Sequence, residues 1–528
     1  MEASRVTVYD EVNYPSFPVY YTHPDRLAVM ATLFGMRPAP AEKCRVLELG
    51  CFDGVNLAAM GMALPRSEFV GVDLAGTAIA RGHALLHDIG LKNVTLRHVD
   101  LMEMAPNYGG FDYIIVHGLF AWVPQPVCDQ ILAICKNSLA PQGVAYISYN
   151  TLPGCHSRLM LREIVSFHNR EFTDPQHKMT QALTLLKLLS TAMTKGPEIY
   201  TQTLQDELKR WSARPPEAFC HDELGDVFNP LYLHQFMDQA RRHDLQFLSE
   251  ADYFDMVPHA LAPNAVEVLD KIKDDIVLRE QYMDFMRGRY FRKTLLCHAD
   301  VLLDRTLKPD SVRAFHISTL AKSESTAPNL KPGIQETFES DPGGKIVTAD
   351  PLGRAMFWRL QEASPERLSF SRLVEEVETR ARQQFGFIPK PDHDVPSHIA
   401  DFIWSTYGAG LVDLHLTLPP FVVQVSEKPL ASPLARWQAR RSDVVATLHH
   451  RTLKLGNAIH RGLLALCDGS RDRAALRADL VQVFESGALD WLDGDGKPIR
   501  DMRVVGRAID EELEDFLQKA ARSAVFMG

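Results

Sequence analysis

The sequence predicts a doubly wound α/β domain over residues 1–175, a mainly helical domain over 176–310 and a winged-helix-like α+β domain over 311–528. Three observations predict this order. Five short apolar runs separated by helical stretches occupy the first 150 residues, helical periodicity dominates the middle part, and short strands alternate with helices in the remainder. A chain of 528 residues is long enough to form several domains.

The first apolar run leads into a glycine turn. Residues 45–54, Arg-Val-Leu-Glu-Leu-Gly-Cys-Phe-Asp-Gly, predict a strand and a tight turn with Gly50 and Gly54, before a helix led by Asn56. Such a βα turn brings backbone N–H groups and a helix N-terminus close to a ligand, and glycine lacks the Cβ that would block the approach. Either glycine alone would also fit an ordinary tight turn.

The next two predicted strands each end in a carboxylate. The run 68–73 ends at Asp73, about twenty residues after the turn, which is the spacing at which an acid meets a ribose diol. The run 94–100 ends at Asp100, where an adenine amine can donate to it. A single Asp after a strand is more often a helix cap, but three strand ends in this order predict one cofactor site. Further strands are predicted at 111–116 and 144–149, with helices at 76–89 and 125–138.

The turn distinguishes between two classes of cofactor. A dinucleotide site needs Gly-x-Gly-x-x-Gly for its pyrophosphate, whereas this turn reads Glu48-x-Gly50-Cys51-Phe52-Asp53-Gly54. The sequence therefore resembles class I S-adenosylmethionine-dependent methyltransferases, which have a Rossmann-like fold. One departure is Phe52, at a position where many members have glycine. The resemblance implies cofactor contacts from Glu48, Gly50, Cys51, Gly54, Asn56, Asp73, Leu74, Asp100, Leu101, His117 and Gly118.

Segments outside the cofactor motifs extend this resemblance over nearly the whole chain. They resemble the bacterial methyltransferases with a regulatory domain, the group that contains the rickettsial-type protein lysine methyltransferases. The resemblance implies that His23 and Arg26 fold over the cofactor and touch its carboxylate. The segments that carry it are 9–11, 22–28, 33–36, 117–124 and 149–154, then 280–285 and 289–292 for the regulatory domain, and 432–436 and 468–471 for the C-terminal domain.

The residues after the fourth strand are expected to face the methyl group. Methylases of planar NH₂ groups usually have an Asp/Asn-Pro-Pro-aromatic motif there, and this chain lacks it. A lysine must enter uncharged, and an aromatic, partly desolvated mouth lowers its pKa. Phe120, Trp122 and Tyr149 are the channel candidates, with core packing as the alternative for Phe120 and Trp122. His117 is either a contact to the cofactor or a proton acceptor.

Composition excludes several other classes of protein. A net charge of −10 argues against nucleic acid as a substrate, since that affinity depends on Lys and Arg neutralising phosphates. The eight cysteines have no CxxC spacing, so we expect reduced thiols, no structural zinc and an unreactive Cys155. The sequence has no signal-peptide pattern and no charge-free apolar run of about eighteen residues, so we expect a cytoplasmic protein without a membrane span. The oligomeric state is left open.

The later parts of the chain carry structural predictions. Residues 493–497, Asp-Gly-Asp-Gly-Lys, predict a hairpin turn rather than a calcium loop, because Lys497 replaces an oxygen ligand. A basic helical face in the third domain is expected to be solvated, with docking of an acidic partner or a nucleic acid as the alternative. Its residues are His449, His450, Arg451, Lys454, His460 and Arg461. Helices are predicted at 180–195, 198–211, 230–243, 265–290, 352–363, 368–385, 395–407, 440–467 and 472–486, with a hairpin at 340–345.

Together these observations predict an S-adenosylmethionine-dependent methyltransferase. The resemblance implies transfer to lysine side chains of a protein substrate. Two alternatives are kept: a methyltransferase of small metabolites or natural products, and a protein that senses S-adenosylmethionine without turnover, which Phe52 would favour.

Overall fold

The computed structural model describes residues 16–192, 198–327, 333–340, 343–388, 393–492 and 497–528. The described helices are α1 Pro24–Leu33, α2 Val55–Ala63, α3 Gly76–Ile89, α4 Gln125–Ser138, α5 His156–Asn169, α6 Pro175–Thr191, α7 Glu198–Ser212, α8 Pro216–Leu224, α9 Leu233–Arg242, α10 Pro263–Lys271, α11 Ile276–Arg287, α12 Pro351–Ala363, α13 Phe370–Phe385, α14 Val395–Gly408, α15 Pro433–Ala439, α16 Ala458–Leu466, α17 Arg473–Glu485 and α18 Met502–Arg522.

The strands follow the same chain order. They are β1 Arg45–Leu49, β2 Glu68–Asp73, β3 Val94–His98, β4 Phe111–Val116, β5 Leu139–Asn150, β6 Leu245–Glu250, β7 Phe291–His298, β8 His316–Ser318, β9 Lys322–Ser323, β10 Glu336–Glu339, β11 Lys345–Thr348, β12 Leu368–Ser369, β13 Asp413–His415, β14 Val444–Ala446 and β15 Thr452–Lys454.

A seven-stranded sheet in the order β3-β2-β1-β4-β5-β7-β6 forms the centre of the first part of the chain. Strands β1 to β5 pair in parallel, and β7 is antiparallel to both of its neighbours. The central strand β1 is almost wholly buried because the sheet is covered on both faces, as parallel sheets require. The strand order reverses between β1 and β4, and ligands of such sheets bind outside the carboxyl ends of the strands at this point. The fold class predicted from the sequence is confirmed.

The two outer strands, β6 and β7, come from the part of the chain that we predict to be mainly helical. The predicted helix 265–290 is wrong as a single helix, because the chain forms two separate helices there, α10 and α11, and β7 begins only at Phe291. Asp275 begins α11 by accepting a hydrogen bond from the Leu278 N–H, and Gly288 ends it in a left-handed conformation, with φ of 58°. The domain boundaries at 175 and 310 stay predictions, although the sheet crosses the first of them.

An ion cluster fixes β7 to the elements beside it. Arg292, whose side chain is fully buried, donates to Glu250 at 2.5 Å, to Asp284 at 2.8 and 2.7 Å and to Glu280 at 3.3 Å. Burial raises the pKa values of Glu280 and Asp284, and the positive charge of Arg292 offsets part of this rise. The guanidinium therefore joins β6, α11 and β7 at one point.

Helices α5 to α8 pack around a small hydrophobic core of their own, which includes Leu161, Trp211 and Phe219. The region is helical as predicted, although α6 begins at Pro175 rather than at Thr180. Asp174 caps this helix by accepting a hydrogen bond from the His177 N–H, so Pro175 occupies the first helical turn, where proline is favoured.

The C-terminal part contains two further small units. Strands β8, β12 and β13 form one sheet beside α12 to α14, and helices α15 to α18 enclose a separate core with the β14–β15 hairpin. The predicted helix 440–467 is wrong, because residues 444–454 form this hairpin and only α16 is helical. The predicted hairpin at 340–345 is confirmed by the antiparallel pairing of β10 with β11. The predicted turn at 493–497 falls on residues of which only Lys497 is described.

Candidate active site

The predicted cofactor residues lie at the carboxyl ends of β1 to β4, along one edge of the sheet. In the turn after β1, Gly50 and Gly54 have positive φ values of 76° and 72°. A Cβ on Gly54 would lie 2.6 Å from Leu96, so glycine is required there for packing as well as for backbone conformation. Cys51 is buried, and its side chain packs against Gly71.

Hydrogen bonds inside the protein occupy several N–H groups of this turn. Gly50 and Cys51 donate to the Val72 carbonyl at 2.9 and 3.1 Å, and Gly54 donates to the Cys51 carbonyl at 2.9 Å. The expectation that these N–H groups serve a ligand is therefore corrected. Two of these hydrogen bonds hold the turn against the end of β2.

Asp73 organises the end of β2. One carboxylate oxygen accepts the Phe52 N–H at 2.7 Å, and the other accepts the Ala75 N–H at 2.8 Å. Phe52 adopts the left-handed conformation with φ of 52°. This conformation costs a residue with a side chain about 1–2 kcal/mol more than it costs glycine. A carboxylate held in this way keeps lone pairs for a diol. Its contact with the cofactor ribose stays a prediction.

Glu48 presents an unpaired acceptor inside the site. Its Oε1 accepts the Asn56 amide at 2.7 Å, while its buried Oε2 has no hydrogen-bond partner among the described residues. Burial raises the pKa of Glu48 to about 8, and the nearby acids Asp73 and Asp53 raise it further against the opposing hydrogen bond from Asn56. A cationic ligand group at Oε2 would satisfy this atom and restore its charge.

Asn56 connects three distant parts of the chain. Its Oδ1 accepts the Val19 N–H at 2.8 Å and lies 2.9 Å from Nε2 of His450, while its Nδ2 donates to Glu48 and Thr22. Asn56 is therefore an anchor that orients Glu48. Its own contact with the cofactor stays a prediction.

His450 is a site residue that sequence reasoning missed. The predicted solvated basic helical face is wrong, because His450 is buried at the turn of the β14–β15 hairpin and its ring lies 5.3 Å from that of His23. Burial lowers the pKa of His450 well below its usual value, and His23 lowers it further. The adjacent histidines 449 and 450 were a sign of an unusual turn. The local sequence does not indicate, however, that His450 contacts Asn56, which is 394 residues away.

The adenine-side candidates are more exposed. Asp100 accepts the Met102 N–H at 2.9 Å through one carboxylate oxygen, and Leu101 is buried beside it. Leu74 is exposed, and its carbonyl lies 2.9 Å from Nε2 of His98. All three lie at the ends of β2 and β3, as predicted, and their roles stay predictions.

His117 and Gly118 lie directly after β4. Nδ1 of His117 lies 3.0 Å from the Tyr146 hydroxyl and 3.2 Å from the Ser148 hydroxyl, which also accepts the Gly118 N–H at 2.9 Å. Burial lowers the pKa of His117 to about 4, and the charge of Lys293 lowers it further. The imidazole is therefore neutral at physiological pH.

Two of the three predicted channel aromatics are core residues. Phe120 and Tyr149 are buried against Phe236 of α9, at ring distances of 5.3 and 4.3 Å. Trp122 is half-buried and stacks on Phe228 at 4.8 Å, with the guanidinium of Arg158 above it. For Phe120 and Tyr149 the channel prediction is wrong, because a helix of the regulatory region covers that face of the sheet.

His23 and Arg26 begin α1 above the site. His23 caps the helix by accepting the Asp25 N–H, and burial lowers its pKa to about 4. The buried Arg26 donates to Asp413 at 2.8 Å and to the Tyr20 hydroxyl at 2.6 Å. The guanidinium therefore joins the N-terminal segment to the C-terminal part, and its predicted contact with the cofactor carboxylate stays a prediction.

Replacing Arg26 with Ala is expected to weaken cofactor binding about tenfold, the value of one charge-assisted hydrogen bond, without unfolding the protein. Calorimetric titration with S-adenosylhomocysteine measures the change. Arg451 is the matched control, because it lies 3.6 Å from the same Asp413 and 3.6 Å from the Tyr20 ring. Equal losses in Arg26→Ala and Arg451→Ala would assign the effect to the Asp413 contact and remove Arg26 from the cofactor site.

The fold and this constellation define a class I S-adenosylmethionine-dependent methyltransferase. The site has the features that the cofactor requires: a buried unpaired carboxylate oxygen at Glu48, a carboxylate held by two N–H groups at Asp73, and a glycine turn between them. The predicted cofactor is thereby supported by the chemistry of the residues that would hold it.

Comparisons with known proteins give the particular family. Residues 46–143 match a methyltransferase domain, residues 215–298 a predicted methyltransferase regulatory domain, and residues 427–525 the PKMT C-terminal winged helix domain. Two uncharacterized proteins of Rickettsia prowazekii are similar, one 29% identical over 98% of this chain and 93% of its own length, the other 36% identical over 46% and 96%. The structure of PKMT2 from Rickettsia typhi in complex with AdoHcy is 27% identical, with a TM-score of 0.84 over 98% of this chain and 100% of that one.

This chain belongs to the family of class I methyltransferases that carry the regulatory domain and the PKMT winged helix domain. The prediction of an S-adenosylmethionine-dependent enzyme is confirmed, and so is the winged-helix-like C-terminal fold.

Three further findings concern the described part of the chain. No helix in it is long and apolar enough to cross a membrane. No group of three or more His, Cys, Asp or Glu side chains in the described ranges is arranged to hold a metal ion. All eight cysteines are buried and none forms a disulfide with another described residue, and burial raises the pKa of Cys155 to about 11, which makes its thiol unreactive.

Proposed function

We propose that this methyltransferase transfers methyl groups to lysine side chains of a protein substrate. The observation that carries the proposal is the likeness of the whole chain to PKMT2 from Rickettsia typhi, at 27% identity and a TM-score of 0.84. This likeness extends over the regulatory and winged helix regions as well as the methyltransferase domain.

The residues of the site have separable tasks in this proposal. S-adenosylmethionine, when bound, supplies a methyl group that its sulfonium already activates. Asp73 would hold the ribose hydroxyls, and the unpaired Oε2 of Glu48 would accept from the cofactor ammonium group. Fixed orientation of two reactants is worth about 7–11 kcal/mol of the barrier, so positioning is the main contribution required of the protein.

His117 suits a positioning role better than that of a proton acceptor. Because burial lowers its pKa to about 4, it would hold a proton poorly near neutral pH. A lysine ammonium, with a pKa of about 10.4, would therefore lose its proton to solvent before transfer. The hydrogen bonds that the Ser148 hydroxyl forms with the His117 ring and with the Gly118 N–H keep the loop after β4 in place.

The test is incubation of the purified protein with methyl-labelled S-adenosylmethionine and a bacterial lysate, which is then separated into protein, small-molecule and nucleic-acid fractions. The expected result is label in protein that survives base and yields methyl-lysine after hydrolysis. Asp73→Ala is the control that should lose the label, because it removes the predicted ribose contact. Label found only in small molecules would contradict the proposal.

The same experiment addresses the two alternatives. A metabolite methyltransferase would label the small-molecule fraction, and a closed pocket beneath Trp122 would favour it. A cavity of about 260 Å³ lies instead between three parts of the chain. A sensing protein would bind the cofactor tightly and label no fraction.

A further inference from the structure

A cavity of about 260 Å³ lies where the N-terminal segment, the regulatory region and the C-terminal part of the chain meet. Its aromatic lining consists of Tyr20, Tyr21, Phe254 and Tyr407. Among the predicted cofactor residues, Arg26 lines this cavity, whereas the strand-end residues and the loop after β4 do not. The cavity therefore lies beside the strand-end cofactor residues and needs an assignment of its own.

The cavity lies beside the loop that is expected to face the methyl group. Lys293 of β7, which lines the cavity, pairs across the sheet with Ser148 of β5. Ser148 in turn holds His117 and Gly118. Cross-strand partners lie about 4.5–5.5 Å apart at Cα, and their side chains share one face of the sheet. The cavity and the post-β4 loop are thus neighbours on this face.

The basic groups in the cavity already have acidic partners. Arg26 lies 2.8 Å and Arg451 3.6 Å from Asp413, and Lys293 lies 3.0 Å from Asp255, with its ammonium 3.6 Å from the centre of the Tyr21 ring. An anionic ligand would have to displace these partners. This arrangement disfavours a phosphate or carboxylate as the occupant.

Asp252 is the remaining acid of the lining. Its carboxylate accepts the Phe254 N–H at 3.2 Å and has no ion pair within 4.0 Å among the described residues. Burial raises the pKa of Asp252, while Arg26 and Lys293 oppose that rise.

We propose that this cavity receives the lysine side chain of the methyl acceptor, with Asp252 as the group that binds its nitrogen and the tyrosines as the walls around its aliphatic stem. A narrow aromatic enclosure suits a long apolar chain that ends in a cation, because ring faces attract ammonium groups and the stem buries apolar surface. The proposal rests on the proposed function and adds to it that the regulatory region itself contributes to acceptor recognition.

The test compares Asp252→Asn with Asp275→Asn. Each variant loses one negative charge. The Asn side-chain oxygen can still accept the backbone N–H that each Asp accepts. For Asp275, which is on the surface, this donor is the Leu278 N–H at 3.0 Å. The probe is a fluorescein-labelled lysine decapeptide, and its binding in the presence of S-adenosylhomocysteine is measured by anisotropy. Methyl transfer to the same peptide gives kcat and KM. Asp252→Asn is expected to raise the Kd and KM about tenfold or more, as loss of a charged hydrogen bond does, and Asp275→Asn to change neither.

Leu320 provides a second variant that does not depend on the buried acid. It lines the cavity and is exposed, so Leu320→Lys adds a competing cation at the entrance without disturbing the core. This variant is expected to raise the KM for the peptide while the affinity for S-adenosylhomocysteine stays at the wild-type value.

The outcomes separate this inference from the proposed function. If the wild-type protein methylates lysine and Asp252→Asn behaves like Asp275→Asn, the acceptor site lies elsewhere and the proposed function stands. If the wild-type protein labels no lysine in the peptide or in the lysate, the proposed function fails and this inference with it.

Discussion

Arg292→Met is expected to cost about 3–5 kcal/mol of folding free energy, because it leaves the buried Glu250 without a cationic partner among the described residues and removes one of two cations from each of Glu280 and Asp284. Methionine retains most of the side-chain volume, so the loss reports the charge rather than a cavity. Glu250, Glu280 and Asp284 all have fully buried side chains around this guanidinium. Proteins are stable by only about 5–15 kcal/mol, so this change removes a large share of the total.

The consequence for function follows from the position of Arg292 in β7. Lys293, the next residue, lines the acceptor cavity and holds Asp255, so loosening this strand is expected to disturb the cavity as well. Urea unfolding followed by circular dichroism measures the stability change. Arg477→Met is the matched control, since its pair with Asp510 is 45% and 51% exposed and such pairs contribute about 0–1 kcal/mol. A similar loss of unfolding free energy in both variants would show that the buried cluster contributes no more than an exposed ion pair.

The five parallel strands could be predicted because each is a short apolar run followed by a turn or a carboxylate. That pattern is local, and burial on both faces of the sheet requires it. The strands β6 and β7 were missed because they lie among helices and contain polar residues, such as Glu250 and Arg292, that satisfy one another only in the folded protein. Buried ion pairs of this kind make a strand resemble an amphipathic helix in sequence.

The candidate site shows the same limit. The carboxylates at the strand ends, Asp73 and Asp100, could be predicted because parallel strands bring their carboxyl ends to one edge of the sheet. The contact of His450 with Asn56 could not, since it depends on how a C-terminal hairpin packs on the first domain. Phe120 and Tyr149 were assigned to a channel because sequence does not reveal that Phe236 covers them.

The hairpin contact predicts an acid-sensitive attachment of the C-terminal region. His450, His23 and His415 are buried, and burial lowers the pKa of each, to about 4 for the last two. Around His450, the neighbouring His23, His449 and Arg451 lower its pKa further. A histidine with a lowered folded pKa stabilises the fold fully above its unfolded pKa, about 6.5, and this stability is lost as the pH falls below that value.

His450→Gln tests this linkage, because its amide can still donate to the Asn56 oxygen but does not titrate. A histidine that stays neutral in the folded protein lowers the free energy of unfolding by about 2 kcal/mol at about pH 5, since each pH unit below 6.5 costs about 1.4 kcal/mol. Between about pH 7 and pH 5 the wild type is therefore expected to lose about 2 kcal/mol more than the variant in urea unfolding. Glu48, whose pKa burial raises to about 8, gives a contribution of opposite sign that is common to both proteins and cancels in the comparison.

His87→Gln is the control for this experiment, because the His87 side chain is 91% exposed. It is expected to follow the wild type at every pH. If His450→Gln also follows the wild type, the His450 ring takes up its proton without cost to the fold. If the variant retains its stability in acid, protonation of the His450 ring is what weakens the packing of the hairpin beside Asn56, the residue that holds Glu48.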